Sequence, residues 1–149
     1  MKRILNRIKE NRGSLSLEMV LATMIMFPII VSLIIGSYSY FSISSENTNL
    51  NFKAGRFVST TGCSVAKLQS TMPSTSTFNG YTVIVNEGAV AQTIQNGSAG
   101  TISIECQTNS DKGDEFGVFS SMNSGQNVFI RFFPSLTARK AIYVQEVSK

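Results

Sequence analysis

The chain contains no histidine and few charged residues, and these shortages narrow the functions it can have. Of its 149 residues only 15% are charged, two are cysteine and none is histidine. Without imidazole there is neither a histidine general base nor a histidine metal ligand, and two cysteines fall short of a four-ligand zinc site. The sequence also has no Gly-rich phosphate loop, nucleophile elbow or paired acid–base motif. These absences argue against an enzyme and indicate no cofactor and no metal site.

The positive charge of the chain is concentrated at its N-terminus. The whole chain carries 13 Lys and Arg against 9 Asp and Glu, a net charge of +4, and residues 1–13 account for all of it. The five basic residues there are Lys2, Arg3, Arg7, Lys9 and Arg12. The rest of the chain is balanced, with 8 basic and 8 acidic side chains, so its charge gives no support to a nucleic-acid partner.

A long apolar segment follows the basic end. Between Glu18 and Glu46 there are 27 residues without a charge. As a helix rising about 1.5 Å per residue, this run is long enough to cross a hydrocarbon core of about 30 Å. Because the basic residues precede it, the positive-inside rule places the N-terminus in the cytoplasm and the chain after Tyr40 outside. The alternatives are a buried core helix and a secretory signal peptide, whose apolar core is usually only about 7 to 15 residues.

The junction between the basic end and the apolar run carries a family resemblance. The sequence Arg12-Gly13-Ser14-Leu15-Ser16-Leu17-Glu18 resembles the leader of type IV pilin-like proteins. In that family a prepilin peptidase cleaves after the Gly, and a Glu is the fifth residue of the mature chain. Pro28 and Gly36 in the apolar run look most like the TadE-like branch of tight-adherence pilus proteins. The resemblance covers residues 2–40.

This resemblance implies a minor pilin or pseudopilin, cleaved between Gly13 and Ser14 and assembled through its N-terminal helix. Its implied partners are other pilin subunits, a prepilin peptidase, a membrane assembly platform and the lipid bilayer. It also implies a precursor in the inner or cytoplasmic membrane and an assembled form in a surface filament or periplasmic pseudopilus. Two features depart from many type IV pilins: the mature chain would begin with Ser14 instead of an N-methylated Phe, and Pro28 comes about two turns early.

Glu18 and Pro28 each have two interpretations. A carboxylate at the edge of an apolar run is costly unless it has a partner or stays near the interface. Glu18 therefore either pairs with a neighbouring subunit during assembly or simply faces water. Pro28 removes one helical hydrogen bond, and the resulting kink either serves filament packing or is an ordinary feature of a membrane helix. The alternative to a pilin-like subunit is a single-pass, membrane-anchored, extracytoplasmic binding module without filament assembly.

The sequence predicts an α+β fold with three parts: a leader at 1–13, a long helix at 14–57 and an exported antiparallel β-domain at 58–149. We expect the helix to bury Phe41, Leu50, Phe52 and Phe57 against the sheet. Period-two patterns predict strands at 81–85, 89–94, 101–106, 128–133 and 141–147. Turns are predicted at Asn79-Gly80, Glu87-Gly88 and Asn96-Gly97.

Three further motifs lie in the predicted β-domain. Cys63 and Cys106 are the only cysteines, and in an exported domain they most simply form a disulfide, with two reduced buried thiols as the alternative. The acidic segment Asp111–Glu115 lacks the ligand pattern of a calcium loop, so a solvated turn is favoured. Asn96-Gly97-Ser98 matches a glycosylation sequon, but a tight turn is the plainer interpretation.

Overall fold

The structure is a computed structural model that describes residues 2–108, 111–123 and 138–147, with side chains from residue 17 onward. The chain divides into two compact units, Met1–Ser39 and Tyr40–Lys149. One helix, α1 (Lys2–Thr61), begins in the first unit and ends in the second. It ends four residues after the predicted position, where Gly62 adopts φ +98° and its amide donates to the Val58 carbonyl at 2.8 Å.

The second unit adds a short helix, two 3₁₀ turns and a sheet to the end of α1. The short helix is α2 (Val65–Thr71). The strands among the described residues are β1 (Tyr81–Glu87), β2 (Val90–Gln95), β3 (Gly100–Cys106), β4 (Glu115–Met122) and β5 (Ala138–Val144). They form one sheet in the order β2-β1-β3-β4-β5. A long helix followed by a small sheet confirms the predicted α+β class.

One face of α1 and one face of the sheet form the core of the second unit. The helix contributes Leu50, Ala54 and Val58, which recur at every fourth residue and so lie on a single helix face. The strands contribute alternate residues, as a half-buried sheet requires. These buried strand residues are Val83 and Val85 of β1, Ile102 and Ile104 of β3, and Phe116 and Val118 of β4.

The predicted all-antiparallel sheet is wrong for one pair of strands. β1 and β3 pair in parallel, from Tyr81 opposite Gly100 to Glu87 opposite Cys106. The pairs β1–β2, β3–β4 and β4–β5 are antiparallel. The sheet is therefore mixed. β3 follows the β1–β2 hairpin in the chain, and it pairs with β1 on the side opposite to β2.

The parallel pair arises because the connection at 96–99 crosses the start of β1. The Ala99 amide donates to the Gly80 carbonyl at 2.9 Å, and the Thr82 hydroxyl donates to the Gly97 carbonyl at 2.7 Å. A Cβ on Gly97 would overlap the Gly80 carbonyl, so only glycine permits this approach. The prediction of a hairpin turn at Asn96-Gly97 is therefore wrong. Glu87-Gly88 does form the predicted hairpin turn, with Gly88 at φ +60°.

The remaining strands agree with the prediction only in part. The first three predicted strands lie within or one residue from β1, β2 and β3. β4 was not predicted, and β5 begins and ends three residues before the predicted strand at 141–147. The predicted strand at 128–133 lies outside the described residues.

Candidate functional site

The described side chains of the first unit form an apolar, exposed helical surface. From Leu17 to Ser39 the only charged residue is Glu18, which is itself exposed. Large apolar side chains are exposed along this segment, among them Met24, Phe27, Leu33 and Ile35. Only 6% of its most apolar 18-residue window is buried, unlike the core helix of a globular domain. By length and composition, this helix can cross a membrane.

Three hydroxyl groups of this apolar segment, those of Thr23, Ser32 and Ser37, are satisfied within the helix. The Thr23 hydroxyl donates to the Met19 carbonyl at 2.9 Å, the Ser32 hydroxyl to the Pro28 carbonyl at 2.7 Å and the Ser37 hydroxyl to the Leu33 carbonyl at 2.8 Å. A polar group that is left unpaired in hydrocarbon costs several kcal/mol, about the energy of a lost hydrogen bond in an apolar medium. These local bonds therefore make the segment compatible with a bilayer or with a bundle of apolar helices.

The residues predicted to direct cleavage and assembly all lie on α1. Gly13 and Ser14 are in the helical backbone, and their side chains fall outside the described part of the chain. Glu18 follows Ser14 by about one helical turn. Pro28 lies inside α1, and the helix continues on both sides of it. The structure therefore places the predicted residues in order along one continuous element.

The buried face of α1 in the second unit is more polar than predicted. Asn51 is 3% exposed, and its amide donates to the Val118 carbonyl and to the Ser120 hydroxyl, both at 3.0 Å. Its carbonyl oxygen accepts a hydrogen bond from the Tyr143 hydroxyl at 2.7 Å. Asn47, one turn earlier, donates to the Ser120 carbonyl at 3.4 Å. This network ties the helix to β4 and β5 with directional bonds, which fix its position more precisely than apolar contact alone.

A close contact and two further hydrogen bonds extend this interface along β5. A Cβ on Gly55 would overlap the ring of Tyr143, so glycine lets the ring lie against the helix backbone. The Ser59 hydroxyl donates to the Val144 carbonyl at 2.6 Å, and the Glu146 amide donates to the Ser59 carbonyl at 3.0 Å. Sequence reasoning missed these residues because small and polar side chains do not stand out as a buried helix face.

Two of the aromatic residues predicted to be buried are instead exposed. Phe41 and Phe52 are 69% and 55% exposed, whereas Leu50 is buried and Phe57 packs edge to face on Phe78 with ring centroids 5.5 Å apart. The prediction of burial for Phe41 and Phe52 is therefore wrong. The physical reason is helical periodicity: the face that includes Leu50 and Val58 points toward the sheet, and Phe41 and Phe52 lie outside it.

The two cysteines are brought together as predicted. Cys63 follows the end of α1 and Cys106 ends β3, and their Cα atoms are 5.6 Å apart in a disulfide. Cys63 is fully buried and Cys106 is 6% exposed. The bond joins residues separated by 43 positions and so links the helix end directly to the centre of the sheet.

Burial changes the ionisation of two tyrosines in the second unit. It raises the pKa of Tyr143 above its ordinary value of 10.0. Burial also raises the pKa of Tyr81, and the nearby carboxylate of Glu46 adds to this effect. Both shifts favour the neutral phenol, and for Tyr143 the neutral form is the one that donates to Asn51.

The acidic segment forms a turn. The Asp111 amide donates to the Asp114 carboxylate at 2.8 Å, the Asp114 amide donates to the Asp111 carbonyl at 3.1 Å, and Gly113 adopts φ +97°. Within the residues that the structure describes, no three His, Cys, Asp or Glu side chains are grouped to hold a metal ion.

The chain was compared with protein-family models, curated proteins and solved structures, and none of them matches it.

Proposed function

We propose that this chain is a pilin-like structural subunit. It is inserted in the membrane as a precursor, cleaved by a prepilin peptidase between Gly13 and Ser14, and assembled into a type IV-related filament or secretion pseudopilus. One observation carries the proposal: a basic leader and the Gly13–Glu18 motif stand at the head of an exposed apolar helix that continues into a disulfide-linked α+β unit.

The charges around the cleavage point explain how processing permits assembly. Residues 1–13 carry the +4 excess that holds the precursor N-terminus in the cytoplasm. Cleavage removes that excess and leaves a single ammonium group at Ser14, close to the Glu18 carboxylate. An apolar helix with one cation and one anion at its head can leave the bilayer and pack among identical helices.

Glu18 then sets the relative position of neighbouring subunits. In a bundle of apolar helices an unpaired carboxylate is strongly unfavourable, and an ammonium group on the next subunit removes that penalty. The pairing selects one axial register and adds little net stability, because both charges lose their hydration. Exposure of Glu18 in the single chain is compatible with this role.

Two variants in the full chain, co-expressed with the prepilin peptidase and assembly machinery, test the proposal. We expect Gly13→Ala to retain the leader, as judged by intact mass. We expect Glu18→Ala to be cleaved normally but to reach the filament fraction at about one tenth of the wild-type level or less, because the neighbour's ammonium group is then buried without a partner, at a cost of about 3 kcal/mol. Thr23→Ala is the matched control on the same helix.

The alternative function predicts different results from the same variants. A membrane-anchored binding module would keep its leader in the wild-type protein and would remain in the membrane whatever residue stood at position 18. Normal filament yield from Glu18→Ala would remove the assembly role of this carboxylate and leave it facing water.

A further inference from the structure

One exposed side of α1 in the second unit forms a basic surface made up of Phe41, Phe52, Lys53 and Arg56. Phe52, Lys53 and Arg56 line one open groove, and Phe41 and Phe52 line a second groove together with Arg139. Lys53 and Arg56 form no ion pair with any residue in the described part of the chain. The basic surface therefore presents aromatic rings and unpaired positive charge to solvent.

The end of the sheet at β5 forms a second surface of opposite charge. This acidic surface is made up of Asp111, Glu115, Ile142, Val144 and Glu146; the exposed Lys112 lies in the same turn, and the carboxylates outnumber it. Ile142 and Val144 are 65% and 52% exposed, although they are strand residues of a type usually covered. The three carboxylates form no ion pair with a described residue. Among the described strands, β5 is the last in the order of the sheet.

Hydrogen bonds hold the parts of the acidic surface together. The Gly113 amide donates to the Gln145 carbonyl at 2.8 Å, and the Gln145 amide donates to the Asp114 carbonyl at 2.9 Å. Glu115 lies opposite Val144 in the β4–β5 ladder. The acidic turn is therefore fixed beside the end of β5 that carries the exposed Val144, and Glu115 lies in register with that residue.

We propose that the basic surface of one copy docks on the acidic surface of a second copy. The two surfaces are complementary in charge, and each offers exposed apolar side chains whose burial is favourable. A lipid or nucleic acid surface would satisfy the cations but leave the acidic surface without a partner, whereas a second copy satisfies both. The inference rests on the proposed function in one respect: it takes another subunit as the partner.

Different residues meet on the two sides of this contact, and that determines the kind of assembly it supports. A contact between two different surfaces of the same chain is heterologous, so each docked copy leaves one basic and one acidic surface free. Repetition of the contact produces an open chain of subunits when the rotation does not close into a ring. Such contacts between second units add to the packing proposed for the apolar helices.

Photo-crosslinking in the full chain identifies what lies on the basic surface. Benzoylphenylalanine replaces Phe52 in cells that contain the assembly machinery, and the products are mapped by mass spectrometry. We expect covalent dimers in which position 52 is linked to residues 111–117 or 138–147 of a second copy. The control carries the same group at Val90, a 63% exposed position of β2, and is expected to give little of this product. Links only to other proteins or lipids, or no links, would overturn the proposal.

Charge reversal tests whether the complementary charges direct the contact. Lys53→Glu with Arg56→Glu is expected to lower the dimer yield by about fivefold or more, because like charges then face each other. Adding Asp111→Lys and Glu115→Lys is expected to restore at least half of it. A yield that does not fall, or that does not recover, contradicts the proposal.

The leader is measured in the same samples, so the two proposals can fail separately. A cleaved leader without the crosslink would overturn the docking alone. The crosslink in a chain that keeps its leader would overturn the proposed processing and leave the docking in place.

Discussion

Two segments of α1, residues 17–39 and 40–61, are both helical but differ in how much of their surface is buried. Residues 17–39 are apolar around most of the helix and exposed, whereas residues 40–61 bury one face that includes Asn47 and Asn51. The first segment needs an apolar solvent or neighbouring helices to cover it, while the second is completed by its own sheet. Apolar composition alone therefore does not identify the buried part of this helix.

Polar residues also have different meanings in the two segments of α1. In residues 17–39 Glu18 stands out because no other residue of the segment is charged. In residues 40–61 the polar residues are structural, since Asn51 and Ser59 bond to β4 and β5. The charge in the first segment is therefore a candidate for a function, whereas the polar residues of the second segment serve the fold.

The largest expected effect concerns the stability of the second unit without its disulfide. We expect Cys63→Ser with Cys106→Ser to lower the free energy of unfolding by about 4 kcal/mol, because the unfolded chain regains the freedom of a long loop. Denaturant unfolding of the full chain in detergent, followed by near-ultraviolet circular dichroism, measures the change. The helicity of the apolar segment is expected to persist. A loss below about 1 kcal/mol would show that the bond adds little.

A smaller effect is expected from adding one methyl group where the helix meets β5. Gly55→Ala improves helix propensity by about 1 kcal/mol, but its Cβ would overlap the Tyr143 ring. We expect a net loss of about 1 to 3 kcal/mol in the same unfolding experiment. Ser45→Ala, an exposed position of the same helix, is the matched control and should be nearly neutral. Stabilisation by Gly55→Ala would contradict the close contact.

The tyrosines make the second unit sensitive to alkaline pH. Because the folded pKa of Tyr143 is raised, the folded state holds its proton more tightly than the unfolded state. The resulting stability is complete below about pH 10 and is lost as pH rises through the folded pKa. We expect Tyr143→Phe to be less stable at neutral pH, where it lacks the bond to Asn51, and to show a shallower decline above about pH 10.

A control separates this effect from general alkaline denaturation. Tyr81 also has a raised pKa, so Tyr81→Phe should flatten the same decline independently, and the double variant should be the flattest. Denaturant midpoints measured across this pH range test the expectation. Equal slopes in all of the variants would show that neither tyrosine contributes to the decline.

The smallest effect on stability is expected at the exposed aromatic positions. Phe41→Ser should change the free energy of unfolding by less than about 0.5 kcal/mol, as surface substitutions usually do. Leu50→Ser, on the buried face, should cost several times more. Comparable losses for the two variants in denaturant unfolding would contradict the assignment of the buried face.

The sequence predicted local structure better than it predicted which elements meet. β1, β2 and β3 were found because their residues alternate and their β-branched content is high. The parallel pairing of β1 with β3 depends on the crossing at Gly97, and an Asn-Gly pair gives the same local pattern in a hairpin. Which strands lie side by side depends on tertiary packing, and a local sequence pattern carries no information about that packing.

β4 was missed because two of its residues, Gly117 and Ser120, are determined by contacts with neighbouring elements. Ser120 is buried where it bonds to Asn51, and a Cβ on Gly117 would lie 2.9 Å from the Glu105 carboxylate that pairs with Lys140. Both residues weaken the strand pattern. The candidate site on the apolar helix follows from the sequence alone, because the basic residues, Gly13 and Glu18 are signals close together along the chain, and it stays a prediction. The surfaces proposed to dock could not be anticipated in this way, because they combine residues from α1, the turn at 111–114, the start of β4 and the end of the chain around β5.

The intact mass of the protein sheared from the cell surface tests the central claim most directly. The account predicts a chain that begins at Ser14, lacks residues 1–13 and has Glu18 as its fifth residue. A surface or pseudopilus fraction whose chain still carries the leader from Met1 would contradict it.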